Sequence, residues 1–176
     1  MLTDYLRDQC FTTAWFGLMA FAWFGWGQEN PPRPWRLWLG AGAVLGIGLA
    51  VVFGLLTAAN WDEPTALEGR YPWFGALVTT EVVAAGAGCL HLARRAAARW
   101  MAWWVAVVVA AHFLPLALLL DDAGVAIIGV VQLVALGSVV SRLRRTTAST
   151  SRSTGPIMGG TLLLSATISA AISAAN

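Results

Sequence analysis

One carboxylate stands inside a long apolar stretch of the sequence. Glu81 is the only charged residue of the segment FGALVTTEVVAAGAGCL, which runs from Phe74 to Leu90. On a helix it lies about 12–13 Å below Pro72, near the middle of a membrane span. Ionisable residues at that depth are costly and usually face a cavity, a partner or a transport path. Glu81 is therefore a candidate catalytic proton donor; the simpler alternative is a protonated carboxyl group that hydrogen-bonds a neighbouring helix.

Two polar residues on other predicted helices reach a comparable depth. His112 lies in HFLPLA, about two turns from the end of its span, and Gln132 lies halfway along the next span. Together with Glu81 they would form one polar cluster. His112 is the second candidate catalytic residue, although a lone histidine inside a membrane is often a packing partner. A structural role is favoured for Gln132.

Aromatic residues are the third chemical feature, since the chain has ten tryptophans. Most fall near the predicted span ends, where interfacial belts account for them. Trp15 lies inside the first span and shares a helical stripe with Met19, Trp23 and Trp26. Such a stripe is usually packing, but it can also line a pocket for a hydrophobic or cationic species. The candidate substrate-binding residues are Trp15, Met19, Trp104, Phe113 and Gln132.

The elements that position these residues follow from composition. The chain is 58% hydrophobic and only 11% charged, with a mean hydropathy of +0.68, which is too apolar for a soluble protein. A helix that spans a bilayer needs about 20 mostly apolar residues. The sequence predicts an all-α, polytopic membrane bundle that forms a single domain over residues 1–176. Its six spans are predicted at about 10–28, 36–59, 73–92, 100–120, 123–141 and 156–175.

The distribution of arginine predicts the orientation of this bundle. Alternate connections carry clusters of arginine, and the other connections carry Asp62, Glu63, Glu68, Asp121 and Asp122. Arginine-rich loops remain in the cytoplasm. We therefore expect an integral plasma membrane protein with both termini outside. The residues TTASTSRSTGP are expected to form a flexible linker that ends at a helix-starting Pro156, and the small residues of the last span predict that it packs inside the bundle.

Several functions are disfavoured by the residues present. The histidines, His91 and His112, are too few for a paired haem site or a three-histidine zinc site. Cys10 and Cys89 are expected at opposite ends of the bundle, so that a disulfide is not expected. Glycine-rich stretches lie in or beside spans and are interpreted as packing positions. We expect no metal, no cofactor and no nucleic-acid partner, and the bilayer is the expected surrounding.

Parts of the chain resemble a group of small actinobacterial integral membrane proteins. The stretches that carry the resemblance are TTAWFGLMAFAWFGWGQE, FGALVTTEVVAAGAG and HFLPLA. Within that group the chain is similar to the membrane-bound terpene cyclases of drimentine-type biosynthesis, over roughly residues 3–135. The resemblance implies cyclisation of a lipophilic substrate, the prenyl chain of an indole diketopiperazine.

The chemistry of such a cyclisation suits the candidate residues. It needs an acid beside an alkene, aromatic faces that stabilise a carbocation, and a group such as His112 or Gln132 that stabilises the carboxylate formed on Glu81. A base must take the final proton, and Asp8, Asp62 and Asp121 are the possibilities. Two rival classes remain open, a proton-coupled transporter that uses Glu81 and His112, and a non-catalytic membrane scaffold.

Overall fold

The structure is a computed structural model that describes residues 5–175, and these residues form a bundle of six α-helices. The predicted all-helical architecture is confirmed, and each predicted span corresponds to one helix. A short 3-10 helix, Ala98–Trp100, leads into the fourth α-helix. The helices are α1 (Leu6–Gly27), α2 (Trp35–Ala59), α3 (Tyr71–Arg94), α4 (Met101–Leu120), α5 (Ala123–Arg144) and α6 (Ser151–Ala175).

Five of the helices are long and apolar enough to cross a membrane, namely α2, α3, α4 with its preceding 3-10 turn, α5 and α6. The remaining helix, α1, contains Trp, Thr and Gly residues that lower its hydropathy. It nevertheless packs against both α2 and α6, and one face of it is buried. The chain is therefore a helical membrane bundle, in which α1 is held between two apolar helices.

The two ends of the bundle differ in their polar contacts. We call the end where α1 begins and α6 ends the terminal end; it also holds residues 60–70 and the turn at 121–122. There Arg70 donates to Asp121, with 2.9 Å between Nη1 and Oδ2, and Asp122 caps α5 by accepting from the Gly124 amide. The opposite end, which we call the arginine end, holds residues 28–34, 95–100 and 145–150.

Glycine allows α1 to approach its neighbours closely. A Cβ atom added at Gly17 would lie 2.6 Å from the Gly46 carbonyl oxygen on α2, and one added at Gly155 would lie 2.6 Å from the Gly27 Cα atom. Both separations are too short for a real side chain. Small residues at these crossings therefore bring the backbones of α1, α2 and α6 together, as is common in membrane bundles.

The last helix confirms one prediction and corrects another. α6 packs against α1, α2, α4 and α5, so it lies inside the bundle as predicted. The linker prediction was wrong, because α6 begins at Ser151 and Pro156 lies within it. Tertiary contacts fix this first turn: the Ser151 hydroxyl donates to Glu29, just after the end of α1, and the Thr150 hydroxyl donates to the Arg99 carbonyl.

Candidate active site

A cavity of about 510 Å³ lies between α1, α3 and α4, and it is partly open to the surroundings. Its volume is within the range of about 300–1,000 Å³ that is usual for small-molecule sites. Most of its lining is aromatic or aliphatic, and the polar members are Asp8, Thr12, Glu81 and His112. The apolar members are Phe11, Trp15, Phe16, Met19, Ala22, Trp23, Trp26, Leu67, Phe74, Val78, Val105, Val109, Phe113, Leu116, Leu120, Val125 and Leu162.

Glu81 and His112 meet in this cavity, from α3 and α4. The Glu81 Oε2 and His112 Nδ1 atoms are 3.2 Å apart, and the two side chains are 21% and 9% exposed. This distance is short enough for a hydrogen bond, but the two groups are not aligned to form one. Nδ1 therefore has no hydrogen-bonding partner among the described residues. Catalytic hydrogen bonds are often poorly aligned before substrate binds. The pair is thus placed for a hydrogen bond that a small rotation would complete.

Aromatic rings hold His112 in place and surround the pair. The His112 ring lies edge-to-face on Phe113, with centroids 6.2 Å apart, and Phe113 packs in the same way on Phe16, at 5.8 Å. Edge-to-face contacts of this kind fix ring orientation. Of the candidate substrate-binding residues, Trp15, Met19 and Phe113 line the cavity.

Gln132 does not join the pair. It is fully buried, but its Nε2 atom donates to the Thr161 hydroxyl on α6, at 2.8 Å, and it is not among the residues that line the cavity. The predicted three-residue cluster is therefore wrong. Its depth was estimated from the helical rise, whereas the direction of its side chain depends on the packing of α5 against α6.

Trp104 also lies outside the cavity lining. Its indole Nε1 atom donates to the Ala84 carbonyl, at 3.1 Å. The ring occupies the space over Gly88, where an added Cβ atom would lie 1.9 Å from Nε1. Trp104 therefore joins α4 to α3 below the cavity, and its predicted contact with substrate has no support in this arrangement.

Asp8 and Thr12 were not predicted to line the site together with Trp15, although the sequence contains a signal for them. The α1 residues that line the cavity include a stripe with helical spacing, at positions 8, 12, 15, 19, 23 and 26. Positions separated by three or four residues share one helix face. The stripe of Trp15 and Met19, followed back by two steps, would have reached Thr12 and Asp8.

The three carboxylates considered as a final base are in different places. Asp8 lines the terminal end of the cavity. Asp62 is exposed in the loop after α2. Asp121 is exposed and paired with Arg70, and neither Asp62 nor Asp121 lines the cavity.

No protein-family model, no curated protein and no solved structure matches this chain. Within residues 5–175 no three His, Cys, Asp or Glu side chains are grouped so that they could hold a metal ion. Cys10 and Cys89 are both free thiols. The geometry of the cavity therefore carries the functional interpretation.

Proposed function

We propose that this protein is a membrane-bound terpene cyclase that cyclises the prenyl chain of a lipophilic indole alkaloid or diketopiperazine. Glu81 protonates an alkene of the chain, and the resulting carbocation is attacked by a second alkene to close a ring. Loss of a proton from the last cation restores an alkene, so that substrate and product have the same mass. The reaction needs no redox cofactor, because no electrons are gained or lost.

The observation that carries this proposal is the position of the Glu81–His112 pair inside an apolar, aromatic cavity. A proton donor for an alkene must touch hydrocarbon and must be shielded from water, which would otherwise quench the cation. The aromatic lining meets both needs. Aromatic faces also attract a cation, by about 2 kcal/mol or more where water is excluded, and they do not attack it as a hydroxyl or amine would.

His112 is placed to stabilise the carboxylate that forms when Glu81 gives up its proton. As Glu81 loses its proton, negative charge develops on the carboxylate oxygens. The His112 Nδ1 atom lies 3.2 Å from Oε2, and its N–H stabilises that charge once the ring turns into alignment. Hydrogen bonds to charge that develops in the transition state accelerate reactions most strongly in dry sites. In this proposal His112 acts as the neutral imidazole, with a proton on Nδ1 that a rotation of the ring directs at Glu81.

Two further features support the proposal. The resemblance of TTAWFGLMAFAWFGWGQE, FGALVTTEVVAAGAG and HFLPLA to drimentine-type cyclases places similar sequence on the three helices that form the cavity. α3 packs chiefly on α4, which leaves the side between α1 and α3 as a route for a substrate that arrives from the lipid.

The proposal includes the plasma membrane as location, with both termini outside. The arginine clusters at 33–36, 94–99 and 142–145 favour a cytoplasmic position for the arginine end. Cysteines introduced in these segments are expected to resist a membrane-impermeant reagent in intact cells, and labelling from outside would reverse the orientation.

Proton-coupled transport is the second candidate, because the Glu81–His112 pair could also carry protons. Transport needs a polar path to both sides of the membrane. The polar residues that line the cavity lie at its middle and at the terminal end, whereas Trp23, Trp26 and Val105 line it toward the arginine end. An apolar end suits a binding chamber better than a proton path, so the cyclase is favoured.

The test is Glu81→Gln, which keeps the size of the side chain but cannot deliver the proton. Turnover of a farnesylated indole diketopiperazine in membranes is followed as mass-neutral conversion to a cyclised product. We expect activity to fall by at least the 10²–10⁴-fold that is typical of general-acid catalysis (an approximate range), with folded protein retained.

Glu68→Gln is the matched control, since Glu68 is exposed in the loop before α3; it should keep wild-type activity. A Glu81→Gln protein that cyclises at the wild-type rate would remove Glu81 as the acid. Absence of product from the wild-type protein with every prenylated indole tested would overturn the proposed function itself.

A further inference from the structure

The terminal end of the cavity contains a second carboxylate whose contacts are unlike those of Glu81. The Asp8 carboxylate accepts hydrogen bonds from the Thr65 hydroxyl, at 2.9 and 3.0 Å, and from the Ala66 amide, at 2.7 Å. The Arg7 guanidinium lies 3.7 Å from it. In all of these contacts Asp8 is the acceptor, which is the pattern of an ionised carboxylate.

Asp8 is also accessible to the contents of the cavity. Its side chain is 13% exposed and forms part of the cavity lining, beside Thr12 on the same helix face and Leu67 from the loop. The loop contacts occupy only some of the acceptor positions of a carboxylate, which has about four in total. An acceptor position therefore remains for a proton that arrives from the cavity.

The two carboxyl groups lie at different depths of the same chamber. Glu81 is ten residues from the start of α3 at the terminal end, which corresponds to about 15 Å of helix. Asp8 is at the beginning of α1 at that end. Side chains on both helices lean toward the helix N-terminus, so the Glu81 carboxyl group is directed toward the terminal end. Both carboxyl groups line the same cavity, so a substrate held there is placed to contact each of them.

We propose that Asp8 is the base that ends the cyclisation. This inference rests on the proposed function, since it assigns a second catalytic residue to the same reaction. In the first step the π electrons of the terminal alkene form a C–H bond with the Glu81 proton, and a carbocation remains. The π electrons of an internal alkene then form the C–C bond of each ring.

In the last step Asp8 takes a proton from the carbon next to the final cation. The electrons of that C–H bond become the new alkene, and Asp8 becomes a neutral carboxylic acid. Asp8 releases this proton to water at the terminal end, and Glu81 takes up a proton from water after the product leaves, so that the cycle has no net gain or loss of protons. The reaction thus starts at Glu81, in the middle of the chamber, and ends at Asp8, at its terminal end.

A purely structural role for Asp8 makes a different prediction. The Asp8 contacts tie the loop at 65–67 to α1, and Arg7 strengthens the same junction through the Trp61 carbonyl and the Tyr71 hydroxyl. A structural residue would alter the amount of folded protein or the overall rate, but not the identity of the product. The identity of the product is therefore the decisive readout.

The experiment compares the products of wild type, Asp8→Asn and Asp8→Glu with the farnesylated indole diketopiperazine. In Asp8→Asn we expect substrate to be consumed far faster than in Glu81→Gln, because protonation is intact. Its product should change from one alkene to a mixture of alkene isomers and a water adduct 18 mass units heavier, since the cation persists until another acceptor or water reaches it. Asp8→Glu should restore the wild-type product, because it restores a carboxylate.

Two controls separate the base from its surroundings. Thr65→Val removes a donor to Asp8 but keeps the carboxylate, and Asp62→Asn removes an exposed carboxylate of the same loop; both should keep the wild-type product. Asp8→Ser is a second carboxylate-free variant, for use if Asp8→Asn is not recovered folded, and it should give the same mixture.

The wild-type product from a folded, carboxylate-free variant would overturn the role of Asp8 while the proposed function stands. A higher KM with an unchanged product would assign Asp8 to substrate binding, and would also overturn its role as the base. Loss of all product in wild type would instead remove the proposed function.

Discussion

The α1–α2–α6 side and the α3–α4 side of the bundle are built on different packing rules. On the first side backbones approach directly, at Gly17 with Gly46 and at Gly27 with Gly155. The Phe24 ring fills the space that Gly42 on α2 and Gly159 on α6 leave free. Large side chains and glycines are complementary there, as in a well-packed core.

On the second side, α3 has no buried residue and packs chiefly on α4. The space between α3 and α1 is the cavity, and it holds the Glu81–His112 pair. The comparison indicates that tight packing is used where the helices must be held, whereas the loosely packed helix carries the carboxyl group. A helix with few contacts can also move aside for a lipophilic substrate at little cost.

The largest effect that tests this comparison is expected at Gly155. In Gly155→Ala the new Cβ atom would meet backbone atoms of α1, at 2.6 Å from Gly27 Cα and 2.8 Å from Trp23 O, so the helices must separate. Overpacking of this kind typically costs about 1–3 kcal/mol. The unfolding midpoint in detergent should fall accordingly.

Gly160→Ala is the matched control on the same helix, because nothing lies within 4 Å of a Cβ atom added at Gly160. There the alanine should raise stability, by up to about 1 kcal/mol, since glycine is a poor helix former. Equal midpoints for the two variants would contradict close packing of α1 on α6.

A smaller effect, on activity alone, is expected at His112. His112→Ala removes the group 3.2 Å from the Glu81 carboxyl and leaves the acid in place. A hydrogen bond to a charged group is worth about 1.5–3 kcal/mol, so kcat should fall by roughly 10- to 100-fold, less than in Glu81→Gln. The unfolding midpoint should change little, because the cavity side is already loosely packed.

His91→Ala is the control, since His91 is exposed near the arginine end of α3. His112→Gln should recover part of the rate, because an amide N–H can also stabilise the carboxylate. Wild-type activity in His112→Ala would show that the pair is only a packing contact.

The sequence predicted how deep each polar residue lies in the bundle better than it predicted which way its side chain points. Hydrophobic runs gave the helices, and the rise per residue placed Glu81 and His112 at one level, where the structure brings them together. The same estimate from the helical rise failed for Gln132, which lies at a suitable depth but donates a hydrogen bond to Thr161 on α6. Depth follows from the chain itself, whereas the face that a helix presents to the cavity depends on its neighbours.

Tertiary contacts explain the other differences. Pro156 is a common first residue of a helix, but Ser151 and Thr150 are held by Glu29 and Arg99, so α6 starts earlier. Trp104 is aromatic, like the residues that line the cavity, but it packs on α3 because Gly88 leaves room for an indole. Neither contact has a local sequence signal.

The smallest predicted effect concerns Trp15, at the open side of the cavity. Its ring lines the chamber but is 48% exposed. Cation–π attraction is worth about 0.5–1 kcal/mol at exposed sites, against about 2 kcal/mol where water is excluded, and we expect the lower range here. Trp15→Ala should therefore lower kcat about 2- to 5-fold, and Trp15→Phe less, because a phenyl ring keeps part of the attraction. Trp38→Ala is the control, since Trp38 is exposed on α2 away from the cavity. Equal losses in Trp15→Phe and Trp15→Ala would show that the bulk of the indole matters rather than its π face, and would confine cation stabilisation to the enclosed rings around His112.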